Sequence, residues 1–396
     1  MEPNSFDIII LGAGIVGGSV ALALAQKNLR VALIDKHALT THITDSLGVR
    51  VSAINHASFN WFSKIGIDDI IKNSRISHYD KMHVWDDEGH IEFHANAIAH
   101  PQLGFIIENQ VILSALAQKI HESTHIELFT DISPKLLHTM PDGVYLLLNN
   151  HQRLFGKMLI GADGAHSWLR QHLNIATNTS SYDQTAIVAN VATQLPHEHT
   201  AWQHFLPTGP LAFLPFANPH HSSIVWSNET EEAIRLLNLN EDEFNKALSH
   251  AFDNKLGNVN LISERKHFPL TMRHAKKYID ARIAFVGDAI HTIHPLAGLG
   301  LNLGLADAAL LFQFMTDAIE KNEDFSNEWL LKHYEHQRKA ENTLVLTSMA
   351  LFKQLFSNQN KILHWLRNQG LSFINQLNPI KKIIIKQANL VHRTQN

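Results

Sequence analysis

Gly12-Ala13-Gly14-Ile15-Val16-Gly17 is the first group in the chain whose spacing could do chemistry. It follows an apolar run, Asp7-Ile8-Ile9-Ile10-Leu11, that reads as a buried strand, and it opens an Ala/Leu-rich segment through Lys27 that reads as a helix. Gly12 suits a tight turn, Gly14 lets backbone approach a pyrophosphate, and Gly17 lets helix and strand pack closely. The helix N-terminus would stabilise the phosphate charge. A second strand over 31–34 leads into Asp35, 23 residues beyond Gly12, where a carboxylate can accept hydrogen bonds from a ribose diol. This is a dinucleotide fingerprint, and by itself it does not choose between dinucleotides.

Two later groups do. Gly161-Ala162-Asp163-Gly164-Ala165-His166-Ser167-Trp168-Leu169-Arg170 follows an expected hairpin over 144–148 and 153–160. Arg282-Ile283-Ala284-Phe285-Val286-Gly287-Asp288-Ala289 reads as a strand delivering Asp288. The run continues through His291, His294-Pro295 and Gly298-Leu299-Gly300-Leu301-Asn302-Leu303-Gly304, a glycine-rich turn that opens a helix. Asp288 can bind a flavin ribityl hydroxyl. The backbone amides around Gly300, Leu301 and Asn302 can face the electron-rich pyrimidine edge of an isoalloxazine from the positive end of the helix dipole.

Three motifs in this order resemble the flavoprotein aromatic hydroxylases with the para-hydroxybenzoate hydroxylase fold. More narrowly, Arg50-Val51-Ser52-Ala53-Ile54, Ile107-Glu108-Asn109, Gly209-Pro210-Leu211-Ala212-Phe213-Leu214-Pro215 and His291-Thr292-Ile293-His294-Pro295-Leu296-Ala297-Gly298 resemble the FAD-dependent 2-polyprenylphenol hydroxylases of ubiquinone biosynthesis. The resemblance runs over about residues 6–310. It implies an α/β fold with a Rossmann-like FAD-binding domain of the para-hydroxybenzoate hydroxylase type over 1–75, 100–180 and 269–325. An inserted β-sheet substrate domain would cover 76–99 and 181–268, and a helical C-terminal region 326–396. FAD would be held by Gly12, Gly14, Gly17, Asp35, Arg50, Gln110, Asp163, Asp288, Pro295, Gly298, Gly300, Leu301 and Asn302. Three positions depart from the family pattern: Leu299 stands where Gln is usual, Ile290 where Ala is common, and Gln110 where Arg is common.

The resemblance also implies a cycle. NAD(P)H, a transient reductant, reduces FAD; O₂ adds at flavin C4a; a hydroxyl passes to the electron-rich ring of a polyprenylated phenol. The chain must place that ring and exclude water. No base is assigned. The groups open to a catalytic role are His204, Tyr182 and Trp202 on the implied substrate face, with His291, His294 and Pro295 near the flavin. Each reads equally as structural, and Pro295 as a shape residue. Phe205, Leu214 and Phe216 would form an apolar wall for a prenylated ring, or simply sheet core.

The wider composition agrees. The chain has 396 residues, 45% of them hydrophobic, enough for a large core in two domains. A net charge of −4 carries no global basic field for nucleic acid. The absence of Cys excludes disulfides, thiolate catalysis and Cys-ligated metal, and fits a reducing cytoplasm. His197-Glu198-His199 and His220-His221 invite a metal reading, but spacing specifies no third ligand, and no metal is expected. The apolar stretch 6–25 has Glu2 and Asp7 and no basic residue before or at its start, the wrong flank for a signal peptide.

Strands are expected over 81–85, 90–94, 211–216 and 223–227, and helices after Asn302. Residues 342–396 hold seven basic side chains and no acidic one. With Ile383, Ile384 and Ile385 beside Lys381, Lys382 and Lys386, this segment suits a peripheral contact with the inner membrane surface. Packing on the body or a homo-oligomer interface is the other reading. A flavin-bound structural subunit of a lipid-quinone biosynthetic complex and a prenyl reductase remain as alternative functions.

Overall fold

A computed structural model of the chain describes residues 4–86, 89–292 and 299–356. Pro295, Gly298 and His294, the side chain of Leu299, and everything from 357 on, including Lys381–Lys386, lie outside the described residues.

Five strands form the parallel centre of an eight-stranded sheet, in the order Ile283–Phe285, Arg153–Gly161, Asn4–Leu11, Val31–Ile34 and Ile126–Phe129. Ile8, Ile9, Ile10 and Val31 to Ile34 are buried on both faces, as parallel strands covered by helices require. Gly143–Leu148 and Pro134–Met140 continue the sheet antiparallel, so the expected hairpin is present and one strand longer. Helix Ile15–Ala25 is buried all round, because it is packed between the sheet and helices Asn109–Glu122 and Leu299–Glu320. A small three-stranded sheet joins Val51–Ile54, Gly104–Glu108 and Ile76–Tyr79.

The second large sheet has nine strands, with Thr177–Thr193 and Lys266–Ala275 at one end and the Lys81–Trp85/His90–His94 hairpin at the other. The expected boundaries at 180/181 and 268/269 fall inside those two long strands, which run on without a break. A bulge between Ser181 and Thr185 marks the bend.

Strand alternation gives this sheet two different faces. Trp202, His204, Leu211, Phe213, Ile224 and Trp226 point to one side. There they bury Phe244, Leu248 and Phe252 from helix Glu241–Ala251 and the turn after it. That helix is announced by a capping box, Asn240 with Glu243, a readable signal not anticipated above. The opposite positions are Gln203, Phe205, Ala212, Leu214, Ser223 and Val225. They face the parallel-sheet half, because Asn190, paired with Ser223, donates from Nδ2 to the Leu47 carbonyl at 3.0 Å.

Of the expected helical C-terminal region, the described part is helical, with helix Glu328–Phe356 packed on Leu299–Glu320. Among the described residues no helix is long and apolar enough to cross a membrane.

Phe252 is fully buried and stacks on Phe213 at 3.9 Å between ring centroids. Phe252→Ala should cost about 3–5 kcal/mol, read as a fall in the urea midpoint of the purified protein. The flavin content of the fraction that stays folded should not change, because Phe252 lies on the far side of the sheet.

Candidate functional site

The dinucleotide motifs meet because four strands end in one row. Leu11 is in register with Gly161 and Ile34, and Gly161 with Phe285. The next residues of each strand therefore line one edge: Gly12, Asp35, Asp163 and Gly287-Asp288. Short backbone bonds tie the row, from Gly12 N to the Ile34 carbonyl, Ala162 N to Leu11 and Val286 N to Gly161. This edge is the carboxyl end of the parallel strands, where open α/β sheets form their ligand crevice.

The glycines divide by role. Gly12 has φ +100, and a Cβ there would lie 2.3 Å from the Ala162 carbonyl oxygen. A Cβ on Gly17 would lie 1.9 Å from the Gly12 carbonyl oxygen. Gly14 is exposed at the helix N-terminus, and a Cβ there would meet nothing within 4 Å. Gly164, at φ +80, also faces open space. The first two glycines permit packing, while the second two border a cradle that a dinucleotide backbone could fill.

The carboxylates behave differently from one another. Asp35 accepts the Ala13 N–H at 2.7 Å and the His37 N–H at 2.9 Å, so its carboxylate is aimed at the fingerprint turn. Asp163 caps Leu169 N–H through Oδ2, while Oδ1 is buried without a partner among the described residues. Burial pushes its carboxyl up, against hydrogen bonds from Ser167 and the Leu169 amide. Burial also raises Asp288, opposed by the nearby charges of His291, Arg50 and Arg273. Asp288 is hemmed in by protein yet keeps solvent access, the position of a side chain lining a cleft. These unpartnered carboxylate oxygens and open glycines fit the hydroxyls and pyrophosphate of an FAD.

The Gly287-Asp288 turn is held from behind. Asp307, fully buried, accepts the Gly287 N–H at 3.0 Å and His291 Nε2–H at 2.6 Å on one oxygen, and Arg338 Nε–H at 2.6 Å on the other. Burial alone would raise its carboxyl, but His291 and Arg338 outweigh it and hold it at about 2. Arg170, also buried, donates to the carbonyls of Ala289 and Ala165 and so ties the Asp163 loop to the Asp288 turn. Asp307, Arg338 and Arg170 were not singled out in the sequence as site residues. Asp307 follows the last motif glycine by three positions, the only signal that could have flagged it.

Other expected contacts take specific places. Arg50 is exposed, and its charge acts on Asp288. Gln110 lies at the start of helix Asn109–Glu122. Its Nε2 donates to the buried carboxylate of Glu108 at 2.7 Å and its Oε1 accepts from Thr44, so it clamps the 44–48 loop together with Arg75. Asn302 uses its side chain to staple Ala53 and Asn55, at 2.7 and 3.1 Å, which leaves only its backbone for a ligand. Gly300 and Leu301 sit in the first turn of the helix beginning at Leu299.

His204 and Trp202 correct the expectation of the substrate face. His204 is buried on the helix-covered side, with Nδ1 2.7 Å from the Ala251 carbonyl and its ring stacked on Trp85. Trp202 packs against Phe252 on the same side. Strand parity decides this: 202 and 204 share a face with Leu211 and Phe213, both core residues. Phe205 and Leu214 do face the cofactor half, and Phe216 is buried just past the strand. Tyr182 lies at the bulge, half-buried. His197 sits between the carbonyls of Phe216 and Asn218, and burial lowers its pKa. Among the described residues no three metal-ligating side chains converge.

Fold and site together define an FAD-binding flavoprotein monooxygenase. The chain matches the FAD binding domain family over residues 5–348. It is 34% identical to the 3-demethoxyubiquinol 3-hydroxylase of Escherichia coli strain K12, over 98% of this chain and 99% of that protein. It is 31% identical to the mitochondrial ubiquinone biosynthesis monooxygenase COQ6 of Dictyostelium discoideum, over 97% of this chain and 91% of that one. The solved p-nitrophenol 4-monooxygenase PnpA from Pseudomonas putida DLL-E4 shares the fold, with TM-score 0.80 over 98% of this chain and 99% of that chain at 15% identity. The chain belongs to the family of FAD-dependent ubiquinone-biosynthesis monooxygenases.

Two outcomes follow from the geometry. Gly17→Ala should destabilise the fold by at least about 1–3 kcal/mol, seen as a lower melting temperature. Gly14→Ala should melt like the wild type and lose FAD more readily on gel filtration. Asp307 sets an acid limit on stability. Its folded pKa is depressed, so its contribution is present above the unfolded carboxylate range and lost as pH falls toward about 2. Asp307→Asn should cost about 3–5 kcal/mol near neutrality, since buried Arg338 loses its fully buried counter-charge and keeps only the partly exposed Glu341. That gap, measured by urea unfolding, should narrow between about pH 4 and pH 2.

Proposed function

We propose that this chain uses FAD, NAD(P)H and O₂ to hydroxylate the aromatic ring of a polyprenylated phenol in ubiquinone biosynthesis. The observation that carries the reading is the half-buried apolar strip Phe205, Pro210, Ala212, Leu214 and Val225, on the sheet face whose Asn190 bonds to the Leu47 carbonyl. Bound FAD supplies the electron transfer and oxygen activation. The chain's own residues bind and orient. Gly12, Gly14, Gly17 and Asp35 are assigned to the nucleotide end, and Asp163, Asp288, Arg50 and the amides of Gly300, Leu301 and Asn302 to the flavin end.

The strip carries no ionisable side chain. It can therefore position a ring and keep water away, and it cannot itself take the phenol proton. Proton removal falls to solvent or to groups across the cleft. The cofactor part is assigned to 1–75, 100–180 and 269–325. The cationic 342–396 segment suits an anionic cytoplasmic membrane surface, where a polyprenylated substrate resides.

Heat-denatured protein should release FAD into the supernatant in a ratio near equimolar to the chain, a noncovalent cofactor with no Cys available for a thioether link. A strain lacking the gene should accumulate a polyprenylated ring short of one oxygen, detected by mass spectrometry. Normal ubiquinone with no such intermediate in that strain would refute the assignment.

A further inference from the structure

Helix Glu328–Phe356 is remote from the crevice in sequence, yet it reaches the cofactor turn through the Asp307 carboxylate, and the strand leading into that turn through Tyr334, whose hydroxyl donates to the Phe285 carbonyl at 2.7 Å. Asp307 takes four hydrogen bonds: from Gly287 N and His291 Nε2 on one oxygen, and from Arg338 Nε and Asn342 Nδ2 on the other, the last at 3.2 Å. Arg338 Nη2 also donates to Asn342 Oδ1 at 2.7 Å, and Asn342 Nδ2 lies 3.3 Å from the Tyr278 hydroxyl, itself 2.6 Å from His274 Nε2. Asp307, Arg338 and Asn342 are all fully buried. The carboxylate can only accept, so His291 must donate from Nε2. Its Nδ1 is left buried and without a partner among the described residues, three positions beyond Asp288.

This arrangement has two consequences. Gly287 stands at φ +63, and the Asp307 oxygen is what its N–H bonds in that conformation. Without Arg338 that oxygen belongs to a buried charge with no cationic counter-charge of full strength, which must gain water or a proton and shift. The helix therefore supplies the charge that keeps the Asp288 turn in shape.

We propose that Asp307, Arg338 and Asn342 are positioning residues for the cofactor turn, and that through them FAD binding and docking of helix Glu328–Phe356 are one linked equilibrium. The inference rests on the reading of Gly287-Asp288 as an FAD contact. Linkage is reciprocal: whatever factor the docked helix adds to FAD affinity, bound FAD adds to helix docking.

Two measurements on the full chain test this. FAD released from the holoenzyme on serial dilution, followed by flavin fluorescence, gives the dissociation constant. Amide hydrogen exchange over 330–342, at saturating and at limiting FAD, gives helix docking. In the wild type FAD should slow exchange in that segment. Asp307→Asn, Arg338→Met and Asn342→Ala should each weaken FAD binding by about tenfold or more and remove its effect on exchange. Lys339→Met, on the same helix but bonded to the Lys276 carbonyl, should change neither. Asn342→Ala strands no charge, so it carries the test if the other two variants fail to fold. An unchanged FAD dissociation constant in folded Asn342→Ala, or exchange over 330–342 that ignores FAD in the wild type, overturns the proposal while leaving the cofactor reading intact. A wild type that binds no FAD at all overturns both.

Discussion

Everything in this molecule depends on the register of four strand ends. Leu11, Ile34, Gly161 and Phe285 occupy one row of the parallel sheet, and neighbouring strands lie about 4.8 Å apart. A slip of one residue in any strand would move its motif off the edge and exchange the side chains packed on its two covered faces. The apolar runs at the ends of these strands oppose such a slip, since every position of 8–11, 31–34, 158–161 and 283–285 is already buried. Core packing and site geometry are thus a single constraint, and the glycines that follow the row can serve both.

The second sheet solves a different problem. One face is hydrophobic and closed by a helix, and the other is left only half-covered. Alternation provides both from the same strands. Trp202, His204, Leu211 and Phe213 close against helix Glu241–Ala251, while Phe205, Ala212 and Leu214 remain half-buried on the other face. The two long strands Thr177–Thr193 and Lys266–Ala275 run from the one environment into the other, so the sheet is fixed rigidly to the half that carries the nucleotide motifs. The Asn190 bond to Leu47 closes the same junction from the loop side.

Charge is placed with the same economy. Of the carboxylates at the crevice, Asp163 keeps an oxygen without a partner among the described residues and Asp288 is exposed, whereas those behind it, Asp307 and Glu108, are each held by several donors. Buried and saturated carboxylates hold backbone in place. Those with open oxygens are available to a ligand. Glu108 holds the loop that presents Arg50 much as Asp307 holds the turn that presents Asp288.

The parts legible in the sequence were those set by short range. Gly12, Gly14 and Gly17 lie within six residues and dictate one turn. Asp288 follows its strand directly, and the 81–94 and 144–160 hairpins show their alternation and turn residues. These local patterns, with the resemblance they carry, determined the fold class, the cofactor and the edge of the sheet that would bind it. Tertiary structure decided the pairings. His204 faces the core because of the strand beside it, Gln110 turns to Glu108 and Thr44, 66 residues from the latter, and Asn302 meets Asn55 across 247 residues. Asp307 has Arg338 as its counter-charge only because two helices cross at that point. A hydrogen bond between distant residues leaves no period or spacing in one sequence, since either partner alone could have served elsewhere. Only the packed fold brings the donor to the acceptor and removes the water that would otherwise take its place.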